Sequence, residues 1–279
     1  MDGPGPYTKA QLAQRGITAR QLADLLEQGR LRRVRRGWYA DAFSPQAAVR
    51  AVQLGGRLGC LSACEVHGLW VPPQTDLHVV LNPGATPPAV PPKGVQFHRL
   101  RTSCPVAVAP LEESVRHVLH RHGEETGLVV LESAVNKNLL HEADARHLLA
   151  TVPMRNIRAA QHFSRLAQSG SETRLRLFFQ RQGVPVQPQA YITGIGHVDL
   201  LVGRSWIVEA DSAAHHSAPR NVTIDCARDL TARELGYSRD RFSYDQIWEK
   251  WSHTQQSIVA MLRTRQHLKP PTPLRRLSR

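Results

Sequence analysis

Hydrophobic residues along this chain come in short periodic runs, most of them bounded by Gly or Pro. Near the N-terminus, Thr8 is placed to cap a helix through Gln14, with Leu12 and Ala13 turned inward and Gly16 ending it. Thr18 caps a second helix, whose Leu22, Leu25 and Leu26 recur at helical spacing, and Gly29 stops it. Arg30–Tyr39 then reads as a small hairpin with a basic rim. Gln46–Leu54 and Ser62–Leu69 follow as helices, and Leu77–Leu81 and Val95–Leu100 as strands. Asn82–Gly94, between those strands, carries five prolines and reads as a stiff surface loop. Leu111–Ala167 is helical: one apolar stripe runs over Leu111, Val115, Val118 and Leu119, a second over Leu128–Val135, and a third over Ala143–Leu149.

The pattern changes at Ser169-Gly170, an expected domain boundary. Ser171 opens an amphipathic helix to Gln182 that Gly183-Val184-Pro185 breaks, and Gln187–Thr193 is a strand. In His197–His216, Val198, Leu200 and Val202 precede Gly203-Arg204-Ser205, and Ile207 and Val208 follow it, which is a β-hairpin signal. Val222–Leu235 then reads as a helix, Tyr237–Tyr244 as the last strand, and Gln246–Met261 as a helix with Ile247, Trp251, Ile258 and Met261 inward. Arg263–Arg279 holds six Lys/Arg, no acid and three prolines, the composition of a disordered, phosphate-seeking tail.

The hairpin carries the most pointed chemistry. Side chains alternate along a strand, so Glu209 and Asp211 share one face, and Asp199 sits on the partner strand inside an otherwise apolar run. Three carboxylates together repel each other and are costly to bury without a cation, and a hard divalent ion such as Mg²⁺ (or Mn²⁺) prefers oxygen ligands. This hairpin resembles the core of PD-(D/E)XK nucleases. The ordered set Ser171-Glu172, Val198-Asp199, Glu209-Ala210-Asp211, His215/His216, Asp225-x-x-Arg228-Asp229 and Leu235-Gly236-Tyr237 resembles the very-short-patch-repair-like endonuclease domain over roughly Gly170–Trp251. The resemblance implies a catalytic group of Glu172, Asp199, Glu209, Asp211, His215 and His216. Asp199 and Glu209 would hold the ion, Asp211 would be a third ligand or hold a water, and Glu172 would orient the site. His215 or His216 would act as general base or donate to the leaving oxygen. Arg228 would hold a phosphate or pair with the acids. The chain departs from the family in Glu209-Ala210-Asp211-Ser212, which is usually Glu-Val-Asp-Gly, in the missing lysine of the common core, and in the polar strand Ser238-Arg239-Asp240-Arg241-Phe242, which is usually apolar.

Helix, turn, helix and basic wing in the first forty or so residues form a winged helix-turn-helix plan, and Tyr7–Asp41 resembles the N-terminal domain of AbiEi-type antitoxins. In that plan the second helix enters the major groove of double-stranded DNA, with Arg20 and Gln21 near base edges. Arg30, Arg32, Arg33, Arg35 and Arg36 would contact phosphates, which position a protein without specifying a sequence.

The expected class is therefore multidomain, α+β and α/β: a winged helix at 1–43, an α+β connector of helices and strands at 44–168, a restriction-endonuclease-like mixed sheet flanked by helices at 169–262, and the basic tail at 263–279.

Composition shifts this picture only modestly. The net charge of +13 and pI of about 10.4 favour a polyanionic partner. No apolar run approaches a membrane span and the N-terminus lacks an apolar signal region, so a cytoplasmic protein is expected. Cys60, Cys64, Cys104 and Cys226 form no C-x-x-C pair, so they read as small buried residues rather than a zinc ribbon. His117, His120 and His122 read as a solvated helix face rather than metal ligands. Two functional readings result: a metal-dependent DNA endonuclease guided by a winged helix, or an antitoxin-like DNA-binding regulator whose nuclease fold is idle. Paired cuts would favour a homodimer in the first. A third reading makes the winged helix a docking element for a toxin–antitoxin partner.

Overall fold

The computed structural model describes residues 5–81, 84–99, 105–152, 159–211 and 219–274, with backbone alone at 159 and 219–226. It is a mixed α/β multidomain protein built as two compact units, one of Met1–Val130 with Thr151–Asn156 and the other of Leu131–Ala150 with Ile157–Arg279, so that one division falls within a helix, at Val130/Leu131.

The first unit opens with β1 (Tyr7–Thr8), α1 (Lys9–Gln14), α2 (Ala19–Glu27), β2 (Arg32–Arg35) and β3 (Trp38–Ala40). Both helices start on a reciprocal capping box, Thr8 with Gln11 and Thr18 with Gln21, which satisfies backbone groups that a helix end leaves open. Leu12, Leu22 and Leu31 are buried together against Tyr7, Leu25, Leu26 and Tyr39. Ala13, expected inward, is exposed: a six-residue helix turns only one position of each turn to the core, and Leu12 takes it. The strands pair antiparallel in the order β1-β3-β2, with β2 and β3 turning at Gly37. A register shift between Arg33 and Arg35 leaves Val34 to pack with Trp38 on a core that includes α3 (Gln46–Gln53).

That core continues through β4 (Gly56–Leu58), α4 (Cys60–Val66), β5 (Leu77–Leu81), β6 (Val95–Arg99) and α5 (Leu111–Arg121). In the sheet β4-β5-β6, β5 pairs antiparallel with β4 and parallel with β6. The turn before β4 and its first residue require glycine: Gly55 has φ 89°, and a Cβ on Gly56 would lie 2.5 Å from the Val80 carbonyl oxygen. Buried Arg57 reaches Glu113 of α5 at 2.6 Å.

α6 (Glu124–Asn136) crosses the division; α7 (Glu142–Ala150), α8 (Ala159–His162) and α9 (Gly170–Arg181) follow. The second unit's sheet is β10-β9-β8-β7, from β7 (Val186–Ile192), β8 (Gly196–Val202), β9 (Trp206–Asp211) and β10 (Ser238–Ser243), with α10 (Pro219–Glu234) before the last strand. β7, β8 and β9 are antiparallel neighbours, and β10 runs parallel to β9. On one face, Leu200, Val202, Trp206, Val208 and Phe242 pack with Leu175 and Phe179 of α9. On the other, Ala190, Ile192, Val198 and Ile207 pack with Ala232 of α10.

Two expectations change here. The single helix over Gln246–Met261 is two, α11 (Tyr244–Trp248) and α12 (Trp251–Arg263). Lys250 N–H bonds back to the Asp245 carbonyl at 2.8 Å, closing α11, so that Ile247 and Ile258 both reach the core. The basic tail is ordered through Leu274: Arg204 N–H donates to the His267 carbonyl at 2.7 Å, and Leu274 N–H to the Glu234 carbonyl at 2.8 Å. Two glycines make room for it, since a Cβ on Gly203 would lie 2.3 Å from the His267 oxygen and one on Gly236 would lie 2.3 Å from Thr272 backbone atoms. Residues 275–279 lie outside the described residues. Among the described residues, no helix is long and apolar enough to cross a membrane.

Candidate functional site

The acidic group sits where β8 and β9 part. Their paired register ends at Leu200 with Val208, and one step further the Ala210 amide donates to the Asp199 carboxylate at 2.9 Å. Gln189, opposite Asp199 on β7, has φ 50°, a left-handed backbone in mid-strand. Its side-chain amide donates to Glu172 at 3.0 Å. Glu172 stands in the first turn of α9, where Ser169 caps the helix, and also accepts from the Gln168 amide at 3.1 Å. Burial, with the neighbouring Asp199 charge, pushes the Glu172 carboxyl up to about 7. Burial and the Glu209 charge likewise raise Asp199. The helix carboxylate and two hairpin acids thus share one neighbourhood.

Their bonding partners differ from the expectation. Glu209 is held by arginines: Arg239 reaches its Oε2 at 2.5 Å, Arg241 at 3.2 Å, and Arg228 approaches Oε1 at 3.9 Å. Arg239 and Arg241 also pair with Asp229 of α10. The polar strand that departs from the family is therefore satisfied, its arginines matched to acids and Asp240 accepting from the Trp206 indole at 2.8 Å. Arg228 donates to the carbonyls of His197, at 2.6 Å, and Ile195, at 3.3 Å. Asp211 is exposed at the end of β9. His215 and His216 lie outside the described residues, as does the side chain of Asp225.

A divalent ion does not fit this arrangement. Of the two carboxylates expected to hold it, Asp199 already accepts an N–H donor at Oδ2, and Glu209 accepts cationic N–H donors at Oε2. Among the described residues, the groups of three or more ligand-type side chains whose donor atoms all lie within 4.8 Å of one another are Cys60, His78 and His122, and Cys60, His98 and His117.

Those two groups correct another expectation. His117 is buried rather than on a solvated face, and His122 joins it at the end of α5, while His120 points to Thr151 at 3.4 Å. The signal was dispersed: the partners come from α4, β5 and β6, at 60, 78 and 98, and no spacing rule joins them.

The basic surface lies on the winged helix. Arg20 on α2 and Arg30, Arg32, Arg33, Arg35 and Arg36 around the β2–β3 hairpin are all exposed. Gln21, also exposed, closes the α2 cap: its Oε1 accepts from the Thr18 amide at 2.9 Å and the Thr18 hydroxyl at 3.0 Å.

Residues 3–40 match a family model described as "Transcriptional regulator, AbiEi antitoxin". No curated protein matches the chain.

Proposed function

We propose that this chain is a DNA-binding transcriptional regulator of the AbiEi-antitoxin type, acting in a toxin–antitoxin context. The observation that carries this reading is the coincidence of the matched segment with the exposed arginines of α2 and the β2–β3 hairpin. α2 supplies the element for a major groove, Arg20 the side chain for a base edge, and the hairpin arginines the phosphate contacts. The second unit keeps a nuclease-like arrangement of acids without using it for chemistry, because its arginines neutralise Glu209.

The test is fluorescence anisotropy with a duplex from the protein's own promoter. Arg30, Arg32, Arg33, Arg35 and Arg36 are replaced together by Gln, with Arg228→Gln as a control. Loss of binding in the fivefold variant alone is expected. Equal affinity for all three proteins would end the proposal.

A second reading, a Mg²⁺- or Mn²⁺-dependent endonuclease, is favoured by one observation: Glu172, Asp199 and Glu209 meet where the hairpin opens. It requires Arg239 and Arg241 to release Glu209, freeing acids that would hold an ion and stabilise charge on a phosphate. It expects plasmid nicking with either metal that Asp199→Ala abolishes. Intact plasmid throughout, or nicking that persists in Asp199→Ala, rules it out.

A further inference from the structure

We propose that Cys60, His78, His98, His117 and His122 form a binding site for one borderline-soft divalent cation of the zinc class. Four elements deliver these side chains to one place. Cys60 is the first residue of α4, His78 and His98 lie on the parallel pair β5–β6, His117 lies on α5, and His122 caps the end of that helix. Cys60, His78 and His117 are buried. Cys60 Sγ lies 3.0 Å from His122 Nε2, and His78 Nδ1 lies 2.8 Å from His98 Nε2. The His98 and His117 rings meet edge to face, with centroids 4.6 Å apart.

Two features point to a ligand rather than to packing alone. Both ring nitrogens of His117 are buried without a hydrogen-bond partner, a cost that an ion at either would remove. Cys60 has φ 52°, a backbone that L residues rarely adopt, and constraints of this kind gather at functional positions. Cys60 would bind as the thiolate, its proton released to solvent. One sulfur with several imidazole nitrogens, and no carboxylate, is a donor set for zinc rather than for magnesium or calcium. An ion held by protein donors here would be structural: it would tie the start of α4 and α5 to β5–β6 in the unit that carries the winged helix.

The test uses tag-free full-length chain. Metal is counted by elemental analysis as purified, then removed, and Co²⁺ is titrated with absorption spectroscopy. One equivalent of metal is expected, with thiolate-to-cobalt charge-transfer absorption that Cys60→Ser eliminates. His117→Gln should weaken cobalt binding at least ~100-fold, since loss of even an outer-shell partner costs 10–100-fold. Cys64→Ser and His120→Gln should match the parent. Folded parent protein that takes up neither zinc nor cobalt overturns the proposal, and this arm needs no variant to fold. Charge-transfer absorption that survives Cys60→Ser overturns it as well.

Discussion

Replacing Glu132 by alanine is expected to destabilise the second unit by about 3–5 kcal/mol, the cost of breaking a buried ion pair from one side. Glu132 is 1% exposed and Arg176 of α9 also 1%. They meet at 2.5 Å, and the carboxylate further accepts from the Thr173 hydroxyl at 2.7 Å and the Ser164 amide at 2.8 Å. With Glu132 gone, the Arg176 guanidinium stays buried, its Nη1 still donating to the His162 carbonyl at 2.6 Å and to the Gln180 side-chain oxygen at 3.1 Å. Urea unfolding followed by the fluorescence of Trp206, Trp248 and Trp251 measures the change. The double replacement Glu132→Leu with Arg176→Met should recover most of it, because neither charge is then left alone. A loss under about 1 kcal/mol for the single change would mean that water reaches this pair.

The second large effect concerns Glu172. Its carboxyl holds a proton up to about 7 in the folded chain. The unfolded chain releases that proton near its ordinary value, about 4.3. Between these pH values the folded state binds more protons than the unfolded one, so this group's contribution is fully present below about 4.3 and is lost as pH rises through 7. At pH 8 the ionised Glu172 costs about 4 kcal/mol, taking about 1.36 kcal/mol per pH unit between about 4.3 and about 7. Glu172→Gln removes the ionisation and keeps an oxygen for the Gln168 and Gln189 donors. The variant should exceed the parent in stability at pH 8, and the two should converge below pH 5. Equal stability at both pH values would place Glu172 in a wetter setting than its burial indicates.

Much of this architecture was legible from local signals. Thr8, Thr18, Gly16 and Gly29 mark the first two helices because caps and left-handed turns are written in adjacent residues. The alternation around Gly203 gives β8 and β9 for the same reason. What escaped depends on residues far apart in sequence. The polar strand Ser238–Ser243 looked misplaced until Glu209 and Asp229, from a neighbouring strand and a helix, were seen to take up its arginines. Cys60 and the four histidines span more than sixty positions, and only the β5–β6 pairing and the return of α5 bring them together. The tail appeared disordered because its composition is basic and proline-rich; two glycines that let its backbone dock carry no such compositional mark.

The proposal that the winged helix is a DNA-binding element is tested most directly by the salt dependence of duplex binding. If the five hairpin arginines each neutralise one phosphate, the slope of log affinity against log salt is about −4.5, at −0.9 per contact. Affinity would then fall roughly 500-fold between 50 and 200 mM salt, and each Arg→Gln replacement would flatten the slope by about 0.9. A slope that stays the same in Arg33→Gln and Arg36→Gln, or binding that does not respond to salt, would contradict this account.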